Sequence, residues 1–218
     1  MKHIKIFSSV SEYETSKSGG TLVTPNVSLI NEDNSVKYLL KNVLTHNEHE
    51  YVDLGLPSGT KWATMNVGAS SETDYGNYYQ YGKGAAQYTA DLPYRGIEDP
   101  LDSSVDTATQ VWGGSWHMPT KAQMEELVAN TTYEWVTNYK NSGINGCTFT
   151  ATNGAVLFFP AAGYWYNGNE NTVGGCGEYW CSSPDDRNYA RFLEFNNSRK
   201  GVYISNRASG MSVRPVVG

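Results

Sequence analysis

From Cys147 onward the chain is a succession of short apolar runs, CTFTATNGAVLFFP, GEYW, RFLEF, GVYIS and MSVRPV, separated by polar turns. That texture constrains the fold more than any other feature. Runs of this length, rich in aromatic and β-branched residues and bounded by Gly, Asn, Asp and Ser, are strands. Asn153-Gly154 is the strongest short hairpin signal in the chain. AVLFF is apolar on both faces and is expected to run through the middle of the core. Helix is scarce. MPTKAQMEELVAN is the clearest case: Thr120 and Gln123 make a capping box, Pro119 stands before it, and Met124, Leu127 and Val128 form a stripe that must be buried. A shorter helix is expected around Val105, Ala108 and Trp112, with Gly113-Gly114 as its stop. Two helices and many short strands, segregated rather than alternating, define an α+β domain.

With 218 residues the chain can bury a real core. Its 22 Gly, 16 Tyr and 6 Trp against only 17% charged residues fit a loop-rich, strand-based fold. A formal net charge of −6 argues against a nucleic-acid partner, since phosphate binding needs clustered Lys and Arg. Membrane insertion is not expected: the longest apolar run, AVLFFPAAGYW, is too short for a span and contains a proline. MKHIKIFSSV has basic residues but no apolar signal-peptide region of about 7 to 15 residues.

Residues 1–48 read as a small attachment segment. KHIKIF alternates as a strand, Ser9 and Glu12 form the S-x-x-E signature of a capped helix, and NVSLINEDNSVKYL reads as a hairpin around Asn31 to Asn34. Residues 49–218 read as the main domain, opened by YVDLGLPSGTKWATMNV as strand, Pro-Ser-Gly turn and strand. Residues 68 to 100 are long and weakly periodic, a stretch that is functional or wraps the core. Tyr75, Tyr78, Tyr79 and Tyr81 crowd it and could form its private core.

No catalytic template fits. H-E-x-x-H, G-x-S-x-G, the P-loop and the dinucleotide fingerprint are all missing, so no catalytic residue, cofactor or metal is assigned. His46 and His49 read as a solvated linker pair and His117 as a packing residue at a helix entry. Asp185 and Asp186 lack the spacing of a calcium loop. Arg214 is expected to tie its strand end to a buried carboxylate or carbonyl. Cys147, Cys176 and Cys181 form no disulfide framework or zinc pattern; Cys176 with Cys181 could bridge a loop, but free thiols are the simpler expectation. Trp62, Trp112, Trp116, Trp135 and Trp180 read as core. Trp165 and Tyr166, placed in a loop, are candidate exposed aromatic contacts.

Five blocks carry a resemblance: DLGLPSGTKWATMNVG at 53 to 68, GGSWHMPT at 113 to 120, FFPAAGY at 158 to 164, GEYWCSS at 177 to 183 and SVRPV at 212 to 216. In this order they resemble the Fibrobacter-type major paralogous domain, which is similar to the C-type-lectin fold and to formylglycine-generating enzymes. The resemblance implies two helices with many short, mostly antiparallel strands. The ending resembles the variable proteins of diversity-generating retroelements, of the phage major tropism determinant type, in which codons near the C-terminus are rewritten while anchors stay fixed. Carried over by position, it marks Asp186, Arg187, Tyr189, Arg191, Phe192, Glu194, Arg199, Tyr203, Ser205, Ala208 and Ser209 as variable, ligand-binding sites. Val202, Arg207, Gly210 and Val213 are marked as anchors. It further implies a receptor-binding role on a virion tail or bacterial surface, a host-cell surface protein or glycan as partner, and a trimer. The opening KIFSSVSEYE and VTPNVSLI look like those of phage structural proteins of gut bacteria. Met211 and Cys181 depart from the family pattern, where an aromatic and a serine are usual. The calcium-dependent sugar motifs of animal lectins are missing.

Alternation supports the same division of labour. Leu193, Phe195, Val202 and Ile204 are expected to fill an inward face, leaving the residues between them on one accessible outer surface. Ala190 to Leu193 breaks the alternation, and a bulge or exposed loop is expected there.

Overall fold

The computed structural model describes residues 26–32, 35–41, 44–89 and 93–218, in two units that divide between His46 and Asn47. The first holds an antiparallel hairpin of β1 (Asn26–Glu32) and β2 (Ser35–Lys41), in register from Asn26 opposite Lys41 to Glu32 opposite Ser35, and β3 (Leu44–His46). This is the hairpin expected from NVSLINEDNSVKYL. The strand expected at KHIKIF and the helix at Ser9 to Glu12 lie outside the described residues.

The second unit contains, in chain order, β4 (His49–Asp53), β5 (Lys61–Ala63), β6 (Tyr79–Gln80), α1 (Thr107–Trp112), α2 (Lys121–Asn130), β7 (Thr131–Val136), β8 (Gly146–Ala151), β9 (Val156–Pro160), β10 (Tyr164–Tyr166), β11 (Asn169–Asn171), β12 (Gly177–Pro184), β13 (Tyr189–Phe195), β14 (Lys200–Asn206), β15 (Gly210–Met211) and β16 (Val216–Val217). The fold is α+β, and every pairing between these strands is antiparallel. β5 lies between β4 and β16, so the start of the unit is closed by its end. The other sheets run β7-β8-β9, β11-β10-β15-β6 and β12-β13-β14.

Both helices start on side-chain caps. At α2, Thr120 Oγ1 accepts from Gln123 N at 3.2 Å while Gln123 Oε1 accepts from Thr120 N at 2.9 Å, the reciprocal box read from the sequence. Met124 and Leu127 are buried beneath it. At α1 the cap is Asp106, whose carboxylate accepts from Thr109 N at 2.9 Å and from Met118 N at 2.9 Å. Burial pushes this carboxyl above its ordinary pKa, and the backbone donors oppose that rise. Gly113, at φ 66°, ends α1 where the sequence places the stop.

Two packed clusters share the β12–β13–β14 sheet. One gathers Trp62, Met124, Leu127, Phe149, Phe159, Tyr179, Leu193 and Phe195. The other gathers Tyr79, Tyr81, Trp112, Trp116, Trp180, Ala190, Phe192 and Met211. Because side chains alternate along a strand, β12 sends Tyr179 and Cys181 to the first cluster and Trp180 to the second.

Several sequence expectations change. AVLFF runs through the core as expected, with Leu157, Phe158 and Phe159 buried, but it does so as an outer strand, β8 being the middle strand of its sheet. Phe158 stacks on Tyr139 with ring centroids 3.8 Å apart, and Phe159 meets Trp62, Phe149, Tyr179 and Phe195. Tyr79 and Tyr81 belong to the main core, where Tyr81 Oη donates to Ser182 O at 2.8 Å. His49 is a packed residue, stacked on Trp112 at 3.7 Å between centroids, and burial lowers its pKa. All three thiols are free. Cys176 and Cys181 stand five residues apart along extended chain, roughly 16 Å, beyond reach of a bridge. Among the described residues no helix is long and apolar enough to cross a membrane.

Candidate functional site

The positions that the resemblance marks as variable lie on the β13–β14 ribbon and in the turns at its two ends. The ribbon is closed by a tight turn in which Asn196 N donates to Arg199 O at 2.9 Å. Asn196 Oδ1 accepts from the backbone N–H groups of Ser198 and Arg199 at 2.9 and 3.0 Å. Pairing is unbroken from Tyr189 opposite Asn206 to Phe195 opposite Lys200. The irregularity expected near Ala190 to Leu193 falls on the partner strand instead. Trp180 pairs with Phe192 and Pro184 with Ala190, so Cys181, Ser182 and Ser183 face Arg191 alone.

Register settles which residues share a face. Residues directly opposite point the same way, and successive residues alternate. Tyr189, Arg191, Leu193, Phe195, Val202 and Ile204 therefore share one face; Ala190, Phe192, Glu194, Gly201, Tyr203 and Ser205 share the other. The expected rungs do lie together, but their burial fades outward. Leu193 and Phe195 are fully buried, Val202 is half-buried, and Ile204, on the outer strand, is 48% exposed.

The expected single outer surface is corrected in two ways. Arg191 and Tyr189 lie on the rung face, opposite to Glu194, Tyr203 and Ser205. Phe192 and Ser209 are buried, at 5% and 2% exposure, so neither can meet a ligand without rearrangement. Phe192 is held because the second cluster covers that face: its ring meets Trp180 at 6.3 Å and Tyr203 at 6.3 Å. Ser209 closes a turn with its N–H on Asn206 O at 2.9 Å. Asp186, Arg187, Tyr189, Arg199 and Tyr203 are exposed, and Arg191, Glu194, Ser205 and Ala208 are half-exposed. These accessible residues, the strip, divide between the two faces of the β13–β14 ribbon and the turns at its two ends.

Two groups of charges sit on the strip. On the rung side Arg191 pairs with Asp185, and Arg95, unread in the sequence, donates to Asn188 Oδ1. On the other side Arg199 Nε donates to Glu194 Oε1 at 2.7 Å, and its guanidinium lies 5.5 Å from the Tyr203 ring centroid. Glu194 faces Glu178 directly across the β12–β13 pair. Burial, and then the Glu194 charge, push the Glu178 carboxyl up to about 7, while Thr172 and Arg199 pull it down.

Of two buried arginines, Arg207 holds the strip to the core and Arg214 ties its own strand end to the start of the unit. Arg207 is fully buried and spends its donors on backbone carbonyls: Nε on Tyr189 at 3.1 Å, Nη1 on Tyr94 at 3.2 Å and Gly96 at 2.6 Å, and Nη2 on Asp186. Its guanidinium also lies 4.7 Å from the Tyr81 ring centroid. One side chain thus fixes both ends of the Asp186 to Tyr189 turn. That turn also closes on itself, with Asp186 Oδ1 accepting from Asn188 N at 2.7 Å and Tyr189 N at 2.8 Å; these donors hold the Asp186 carboxyl below its ordinary range. Arg214 meets the carbonyls of Ala63 and Thr64 at 3.1 and 3.0 Å and Asn66 Oδ1 at 2.8 Å, so its expected partner is a carbonyl, not a carboxylate.

Trp165 and Tyr166 stand on strand β10 rather than in a loop. As neighbours on a strand they point to opposite faces, so they do not act together. Trp165 is half-buried between Tyr78 and Tyr88, and Tyr166 is 38% exposed.

Comparison with known protein families, with curated proteins and with solved structures found no match to this chain.

Proposed function

We propose that this chain is a ligand- or receptor-binding protein with a C-type-lectin-like second unit, whose accessible strip on the β13–β14 ribbon and its turns is a surface diversified by a retroelement. Its place is a virion tail or a bacterial cell surface, and its partner a host-cell surface protein or glycan. The observation that carries this reading is the mounting of the strip. Arg207 fixes the Asp186 to Tyr189 turn through backbone carbonyls alone, so the side chains at Arg187 and Tyr189 are free to change without loosening their own support, while Asp186 also closes the turn with its carboxylate. Leu193 and Phe195 anchor the ribbon from below in the same way. A mixed surface of Arg, Tyr, Glu and Ser suits protein or glycan recognition.

Sequencing of the locus tests the diversification: a near-identical template repeat with adenine-specific differences beside a reverse-transcriptase gene is expected. Without them the reading reduces to a non-diversified adhesin with the same strip. Binding is tested apart from origin, by scoring an Arg187→Ala, Tyr189→Ala, Tyr203→Ala variant for adhesion to bacterial cells. Lost adhesion with unchanged melting supports the strip; unchanged adhesion overturns it. Light scattering tests the trimer. An oxidase akin to the formylglycine-generating enzymes is disfavoured, because burial pushes the thiol of Cys147 up to about 12 and raises those of Cys176 and Cys181. Activated thiols are shifted the other way.

A further inference from the structure

An open cleft of about 430 Å³, none of whose lining residues belongs to the ribbon, lies where the β10–β11 hairpin faces the segments around Tyr78 and Tyr88. Trp165 forms its aromatic wall. The Tyr78 ring lies 6.2 Å from Trp165 between centroids and the Tyr88 ring 6.3 Å. Each ring is held from behind. Tyr78 Oη donates to Ala162 O at 2.5 Å, and Tyr88 lies against Gly210, where an added Cβ would come within 2.6 Å of the ring. Gly210, marked as an anchor by the resemblance, is thus the residue that lets Tyr88 sit there.

Polar groups stand around this wall. Glu170 is directly opposite Trp165 in the β10–β11 register, so both side chains project from one face into the cleft. Asn77 and Gln87 bring amides, each with donors and an acceptor. Among the described residues no Lys or Arg lines the cleft, and the Glu170 carboxylate repels anions. A flat apolar ring flanked by a carboxylate acceptor and two amides matches a ligand with an apolar ring face and a girdle of hydroxyls. Its volume falls within the roughly 300–1,000 Å³ of small-ligand sites.

We propose that this cleft binds a neutral carbohydrate, with one sugar ring stacked on Trp165 and its hydroxyls shared between Glu170 and the amides of Asn77 and Gln87. The binding needs no metal ion. It is independent of the ribbon: the cleft would bind sugar even if the strip bound nothing.

Saturation-transfer NMR on the full chain tests this with cellobiose, lactose, maltose and N,N′-diacetylchitobiose, with 3′-sialyllactose and choline chloride as contrasts. At least one neutral disaccharide is expected to receive saturation, unchanged by EDTA, more strongly than sialyllactose or choline. Trp165→Ala is expected to weaken that binding by about tenfold or more. Because Trp165 is half-buried, Gln87→Ala, at an exposed position, provides a second variant expected to weaken binding by about threefold or more without altering the circular dichroism spectrum. Val156→Ala, at an exposed position outside both the cleft and the strip, is expected to leave it unchanged. The proposal is overturned if none of the four disaccharides binds, if choline alone binds, or if binding survives both Trp165→Ala and Gln87→Ala.

Discussion

Phe192 and Tyr203 stand directly opposite each other on the same face of the same ribbon, yet one is 5% exposed and the other 38%. The difference is position across the sheet. β13 is the middle strand, and its residues are covered by a cluster on each side; β14 is the outer strand, where Val202 still packs on the first cluster but no residue is fully buried. Freedom to vary is therefore graded across the sheet, strand by strand. It does not simply follow which way a side chain points.

The sharpest way to break this contrast is to shorten both rings. Phe192→Ala should cost about 3–5 kcal/mol in chemical denaturation, as for a buried aromatic. Tyr203→Ala should cost under about 1 kcal/mol. Equal costs would mean that β14 is as enclosed as β13. Next comes the support of the strip. Arg207→Ala leaves the carbonyls of Tyr94, Gly96 and Asp186 without the guanidinium donor, while Tyr189 O keeps the N–H groups of Asp185 and Asp186, and should lose about 2–4 kcal/mol, with faster hydrogen exchange at Asn188 and Tyr189.

Glu178 allows a test by pH. Its ordinary pKa is 4.5 and its folded value about 7. Between those values the folded chain keeps a proton that the unfolded chain has released. Stability should therefore be full below about pH 4.5 and fall as pH rises to about 7, by on the order of 2–3 kcal/mol. Glu178→Gln should flatten the profile across that window, while Asp186→Asn should leave its shape there unchanged. The smallest effect belongs to the outer strand: Ser205→Ala should stay within about 0.5 kcal/mol of the parent.

Much of this fold is legible in the sequence because its signals are local. The capping box at Thr120 and Gln123, the stop at Gly113 and the hairpin around Asn153-Gly154 rest on contacts within a few residues. β7 is harder to read, since it follows α2 with no linker; its signal is the β-branched and aromatic content of TTYEWV. What stays hidden depends on distant chain. Alternation identifies Leu193, Phe195, Val202 and Ile204 as one set, but burial of Phe192 requires Trp180 and Tyr81 to arrive on the other side, and exposure of Ile204 requires the sheet to end at β14. The cleft at Trp165 is hidden for the same reason. Its walls come from segments nearly ninety residues apart, Asn77–Tyr78 and Trp165–Glu170, and only Trp165 was readable as a contact.

The continuous pairing of β13 with β14 sets a rule for how such a surface can change over generations. Exchanging one amino acid for another leaves every neighbour where it was, but adding or deleting a single residue within either strand would turn Leu193 or Val202 outward and carry Tyr203 or Glu194 into the interior. Novelty at this edge has to come from changes of identity at constant length, and insertions are tolerable only in the turn at Asn197 and Ser198 that joins the two strands.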